Sequence, residues 1–178
     1  MREAHDRYSS VSILLHWLIA ALVVGNVIGG LAMEDNRALF PLHKSIGITI
    51  LVLTLVRIGW RLAHPWPRLP ERMAGWERGF ARFTHVAFYV LLLAVPLLGW
   101  AAVSAGRGTG ELFGFIPWFD LPVAKSSTLR DTLGERHETA VWLTLILVAF
   151  HIAGALKHHL IDRDVVLHRM LPLVRRRD

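Results

Sequence analysis

The chain is a succession of long apolar runs separated by short polar ones. Residues 11–33, 83–106 and 139–156 contain no Asp, Glu, Lys or Arg. Residues 42–60 form a fourth run, interrupted only by Lys44 and Arg57 near its ends, where long basic side chains can snorkel to an interface. Each run approaches or exceeds the roughly 20 residues that a helix needs to cross a hydrocarbon core about 30 Å thick. The pattern predicts an all-α integral membrane four-helix bundle forming one domain, with spans at about residues 11–33, 42–61, 80–104 and 137–160.

The polar positions predict how the spans are joined. Ser9 or Ser10 is a suitable N-cap for the first helix. A polar turn over residues 34–37 leads into the second helix. Pro65, Pro67 and Pro70 cannot continue a helix and predict an extended connection. Pro96 lies inside the third helix and predicts a kink, and Gly106, Gly108 and Gly110 end that helix. Residues 106–135 are the longest connection and carry the aromatic stretch 113–119, suited to the outer membrane surface or to covering the bundle's outer mouth. Trp17, Trp60, Trp100 and Trp142 fall towards helix ends, where an aromatic belt would lie. The first apolar run is too long for a signal-peptide core, no A-x-A site follows it and His16 sits within it, so it is expected to be retained.

Composition sharpens this picture in two respects. Of 178 residues 53% are hydrophobic and 19% charged, a mean hydropathy of +0.42, and there is no cysteine. Disulfides, iron–sulfur clusters and thiolate metal sites are therefore excluded. The net charge of +6 follows from topology and needs no nucleic-acid partner. With four spans, Arg2, Arg7, Arg57, Arg61, Arg68, Arg72, Arg78, Arg82, Lys157, Arg163, Arg169, Arg175, Arg176 and Arg177 fall on one side. Only Arg37, Lys44, Arg107, Lys125, Arg130 and Arg136 fall on the other. The positive-inside rule then puts both termini in the cytoplasm, with the basic tail at lipid headgroups.

The chemistry lies in the histidines. Of the ten in the chain, His16, His43, His85, His137, His151, His158 and His159 lie in or at the edges of spans, where ionisable side chains are costly and face a partner. His137 and His151 are 14 residues apart, close to four helical turns, so they share a face about 21 Å apart. Two cofactors at different depths suit that spacing; one mononuclear metal site, which wants ligands about one turn apart, does not. Depth pairs His16 with His151 near the inner side and His43 with His137 near the outer side. Each pair can supply two axial imidazoles to a haem, and such ligation favours electron transfer over oxygen binding.

His85 is the alternative partner for His151, with depth favouring His16. His158, seven residues beyond His151 and nearly in phase with it, is a candidate hydrogen-bond donor to a quinone carbonyl or a haem propionate. Arg57, 14 residues after His43, reaches the inner depth, where it either pairs with a propionate or snorkels. His159 points elsewhere. Gly25, Gly29, Gly30 and Gly47 permit close approach of helices or of a macrocycle.

At these residues the chain resembles the bacterial cytochrome b-561 family. The matching pieces are His16-Trp17, His43-Lys44-Ser45-Ile46-Gly47, Val56-Arg57 with Arg61, His85 with Pro96, His137-Glu138-Thr139 followed by His151, Lys157-His158-His159, and Arg169-Met170-Leu171-Pro172. The resemblance spans nearly the whole chain. It implies two haem b groups with axial ligands His16, His43, His137 and His151, in the bacterial inner membrane. It also implies quinone chemistry, with ubiquinone as substrate, at the cytoplasmic side near His158. Some members are similar to superoxide oxidases, which pass electrons from periplasmic superoxide to ubiquinone. The alternative is a cytochrome b subunit linking quinone to a partner dehydrogenase. Anionic superoxide would favour a basic outer mouth, for which Arg107, Lys125, Arg130 and Arg136 are the candidates. A metal-ion transporter is disfavoured by the lack of intramembrane carboxylates, and a purely structural protein would not need four depth-matched histidines.

Overall fold

A computed structural model describes residues 8–64 and 73–172. The prolines expected to form an extended connection, Pro65, Pro67 and Pro70, lie outside the described residues, as do Arg2, Arg7, Arg68, Arg72, Arg175, Arg176 and Arg177. The described residues form four long helices: α1 (Ser10–Ala32), α2 (Phe40–Ala63), α3 (Gly75–Ala105) and α4 (Ser127–Lys157). Their 23, 24, 31 and 31 residues correspond to about 35 to 46 Å of helix, enough to cross a bilayer. Leu14, Leu31, Leu55, Val90 and Ile146 are among many large apolar side chains that remain exposed on all four helices. Lipid is the solvent that such a surface requires.

Helix starts follow local chemistry. Ser9 caps α1, its hydroxyl accepting the Ser12 amide hydrogen at 3.2 Å. Asn36 turns the chain through a short 3-10 turn (Arg37–Leu39), and Pro41 opens α2. The helix α3 continues through Pro96 and ends at Gly106. Ser126 caps α4, accepting from the Leu129 amide at 3.3 Å. This helix therefore starts ten residues before position 137, where the apolar run led us to expect it. Charge-free length measures the hydrocarbon, whereas the polar turns over 127–136 are helical in the water beyond it. The connection correspondingly shortens to residues 106–126.

That connection is ordered. It holds a two-stranded hairpin, β1 (Glu111–Leu112) against β2 (Ile116–Pro117), with Glu111 opposite Pro117 and Leu112 opposite Ile116. Phe113 and Gly114 both take positive φ, 53° and 78°, as a type I′ turn demands. The fully buried Ser45 latches the turn to α2: its hydroxyl accepts from the Phe113 amide at 2.8 Å and donates to the Pro41 carbonyl at 2.7 Å. Lys44 donates to the Thr109 carbonyl. Ser104 accepts from the Leu121 amide at 3.0 Å, and Trp100 donates to the Phe119 carbonyl at 3.1 Å. Trp100 is thus a buried loop anchor, not an interfacial side chain, while Trp142 is 52% exposed, as a belt position should be. Asp120 accepts from the Thr109 amide at 2.6 Å and pairs with Lys125 at 2.8 Å, so its carboxyl is pulled down to about 2, first by Lys125 and then by Thr109.

The helices α1, α2, α3 and α4 pack in sequence order, each on the next; α4 packs closely on α3 and scarcely on α1 or α2. The centre of the bundle is therefore left to side chains. One end, the hairpin end, carries the ordered connection. The other, the terminal end, gathers the start of α1, the end of α2, the start of α3 and the end of α4. There Trp60 donates to Ser9, Trp17 donates to the Met170 carbonyl, and Lys157 bridges Glu77 and Asp162.

Candidate haem centre

At the hairpin end, His43 on α2 and His137 on α4 face each other with ring centres 6.1 Å apart. His43 Nδ1 lies 3.0 Å from the Asn26 carbonyl, and His137 Nδ1 lies 2.8 Å from the Val95 carbonyl. A carbonyl only accepts, so in both rings Nδ1 carries the hydrogen and Nε2 keeps its lone pair. Metal-ligating histidines are oriented by this kind of outer contact. The two rings line a cavity of about 440 Å³ bounded by all four helices, with Asn26, Gly30, Gly99 and Thr144 also on its wall.

At the terminal end, His16 on α1 and His151 on α4 have ring centres 6.2 Å apart. His85 on α3 stands 6.0 Å from His151 as well, so this end gathers three imidazoles. Phe88 packs edge-on against His151 at 5.3 Å, and Trp17 edge-on against His16 at 5.5 Å. Ring separation alone does not rank His16 over His85 as the partner of His151. Arg57 is half-buried on α2, 14 residues and close to four helical turns beyond His43, and so reaches the depth of this cluster.

The donor sets fit a haem. Metal–imidazole bonds are about 2 Å long, and a ring centre lies about 1 Å further on, so two rings facing across one metal stand about 6 Å apart. Both separations match. The missing Cβ atoms at the hairpin end make the same point: a Cβ at Gly30 would lie 3.1 Å from His43, and one at Gly99 would lie 3.1 Å from His137. Gly25 and Gly29 meet nothing within 4 Å, so only Gly30 of that group serves close approach to a histidine. Gly99 carries no local signal in the sequence, because its role depends on what α4 places opposite it.

His158 starts a π-helical turn (His158–Asp162) that continues α4. Its Nδ1 lies 2.7 Å from Asp164 and 3.1 Å from Asp162. The left-handed backbone of Arg163, φ 51°, folds Asp164 back to that contact. Sequence reasoning found His158 and missed both aspartates, which come into place only through that turn. His159 is exposed and lies against His168, its ring centre 5.2 Å away and tilted by 59°. Of the four expected steering cations, Lys125 is paired with Asp120 and Arg130 with Asp131; Arg107 and Arg136 have no ion pair among the described residues.

A bundle of four membrane-crossing helices with histidine pairs at two depths defines a class: a multi-pass membrane electron-transfer protein that binds haem b. The chain belongs to the prokaryotic cytochrome b561 family, whose model matches residues 7–173. It is 34% identical over 175 residues to cytochrome b561 homolog 2 of Escherichia coli K12, covering 93% of this chain and 92% of that one. It is 30% identical over 175 residues to the probable superoxide oxidase CybB of Yersinia pestis, covering 94% and 97%. Cytochrome b562 of Cereibacter sphaeroides is also 30% identical, over 92% of this chain and 94% of its own.

Proposed function

We propose that this chain carries electrons through two haem b groups, one held by His43 and His137 and the other by His16 and His151. The donor on this reading is superoxide at the periplasmic hairpin end, and the acceptor is ubiquinone at the cytoplasmic terminal end of the inner membrane. The observation that carries it is the pair of matched ring separations, 6.1 and 6.2 Å, at opposite ends of one bundle. Haem b supplies a reversible one-electron couple. The balance is two superoxide anions losing one electron each to become dioxygen, while ubiquinone takes two electrons and two protons to become ubiquinol.

The chain's own residues supply the rest. The Asn26 and Val95 carbonyls hold His43 and His137 in the tautomer that offers Nε2 to the metal. His158, its Nδ1 donating to Asp164, is left with Nε2 to take up a proton from the cytoplasm and, as the imidazolium, donate it to a quinone oxygen. Of the four expected steering cations, Arg107 and Arg136, without an ion pair among the described residues, would attract an anion at the hairpin end. The superoxide name of one relative supports the donor, and the basic terminal end supports the orientation.

The exposed aromatic tip, with Phe115 71% and Phe119 63% accessible, favours a second reading in which a partner dehydrogenase docks at the hairpin end. Purified protein should carry two low-spin haems per chain, be reduced rapidly by superoxide and pass the electrons to added ubiquinone. Two haems that superoxide leaves oxidised would transfer the function to the second reading, with a stoichiometric partner then expected on co-purification. A colourless protein would overturn both.

A further inference from the structure

His43 and His137 come from different helices and lean on different helices, yet both are seated by the same device. His43 donates to the Asn26 carbonyl on α1, and four residues later stands Gly30, where a Cβ would come within 3.1 Å of His43 Cε1 and 3.3 Å of Nδ1. His137 donates to the Val95 carbonyl on α3, and four residues later stands Gly99, where a Cβ would come within 3.1 Å of His137 Nδ1 and 3.2 Å of Cε1. In an α-helix the carbonyl of residue i points at the amide of i+4, so the two positions lie one above the other. A carbonyl has a second lone pair beyond its helical bond. A bare glycine at i+4 opens a notch through which an imidazole can reach it.

His16 and His151 do not share this device. Among the described residues, no hydrogen bond is made by either ring nitrogen of His16 or His151. Arg57 is half-buried on α2 close to four helical turns beyond His43, which sets it on the same side of that helix at the depth of the His16 and His151 pair.

We propose that the two notches and Arg57 tune the ends of the bundle in opposite senses, so that the hairpin-end haem has the lower reduction potential and electrons run downhill to the terminal end. This rests on the reading that each histidine pair holds a haem. Donation of Nδ1–H to a carbonyl raises the basicity of Nε2 and so favours the oxidised, more positive metal. A fixed positive charge beside the other pair favours the form carrying one more electron. Each transfer oxidises the hairpin-end centre by one electron and reduces the terminal-end centre by one. A one-electron donor such as superoxide replenishes the first, and quinone drains the second. Gly30 and Gly99 act as positioning residues in this scheme, since they touch the histidines and not the reacting atoms.

The test is a spectroelectrochemical titration of the haem-loaded protein in nanodiscs, which needs neither superoxide nor quinone. Wild type should show two couples. Gly30→Ala and Gly99→Ala should each raise the lower couple and leave the higher one in place, because the added methyl pushes the ring off its carbonyl. Arg57→Gln should lower the higher couple alone, and Arg57→Lys should restore it. If an alanine expels the haem, the couple that vanishes marks the hairpin end, and it must be the lower one. Alanine variants that leave the lower couple unmoved, or that shift the higher one, overturn the proposal. A single haem per wild-type chain defeats the two-haem reading instead, before any variant is made.

Discussion

At the hairpin end two histidines face each other, each tied to a main-chain carbonyl, beneath a connection latched by Ser45, Ser104, Trp100 and Lys44. At the terminal end three histidines gather at the depth of the half-buried Arg57, beside a turn meshed by Lys157, Glu77, Asp162 and Asp164. One end is specified by backbone geometry and the other by charge and by a choice among side chains. The difference teaches that equal ring separations do not make equal sites. A ring held by a carbonyl has one orientation, whereas a ring among two potential partners has its partner decided by whatever else it touches.

The most drastic way to test this contrast is to remove the α4 histidine at each end. His137→Ala should eliminate the hairpin-end haem and His151→Ala the terminal-end haem, each reducing haem content from two per chain to one in a pyridine haemochrome assay. If either variant retained both haems, the assignment of α4 as the common ligand helix would fail. Next in size is the choice at the terminal end. His16→Ala should lose that haem while His85→Ala keeps it with an altered low-spin spectrum; the reverse result would make His85 the ligand and His16 the neighbour.

A smaller effect is expected in the latch. Ser45→Ala leaves the Phe113 amide without its buried acceptor, which costs about 1 to 3 kcal/mol. The hairpin should then become protease-sensitive while the terminal-end haem spectrum stays unchanged. The smallest is a response to acid. Asp120 is held below its ordinary value of 3.8, so its contribution to the latch is complete above that pH and fades as pH falls towards about 2. Trp100 and Trp118 fluorescence should report loosening of the hairpin in that window and none between pH 5 and 8. Asp120→Asn should abolish the acid step.

The sequence exposed the helices and the histidine order, because both depend on local spacing: charge-free length for the spans, and 14 residues for His137 and His151. It marked the start of α4 too late, since hydropathy records where lipid begins and not where a helix does. The latches of Ser45 on Phe113 and Lys44 on Thr109 join residues more than 60 positions apart, and no local pattern announces them. Gly30 stood in a group of glycines that looked equivalent, and Gly99 attracted no notice. Their value is set by a ring on another helix. Likewise, helical depth favoured His16 over His85 as the partner of His151 without excluding His85, and the fold keeps both beside His151.

Because α4 contributes one member of each histidine pair, the gap between the two proposed haem sites is written into a residue count along a single rod. Exchanging one apolar side chain for another along the lipid-facing side of that rod leaves the gap alone. Inserting or deleting one residue between His137 and His151 swings one of them by about 100° and changes its level by about 1.5 Å. The segment is therefore permissive towards substitution and intolerant of any change in length.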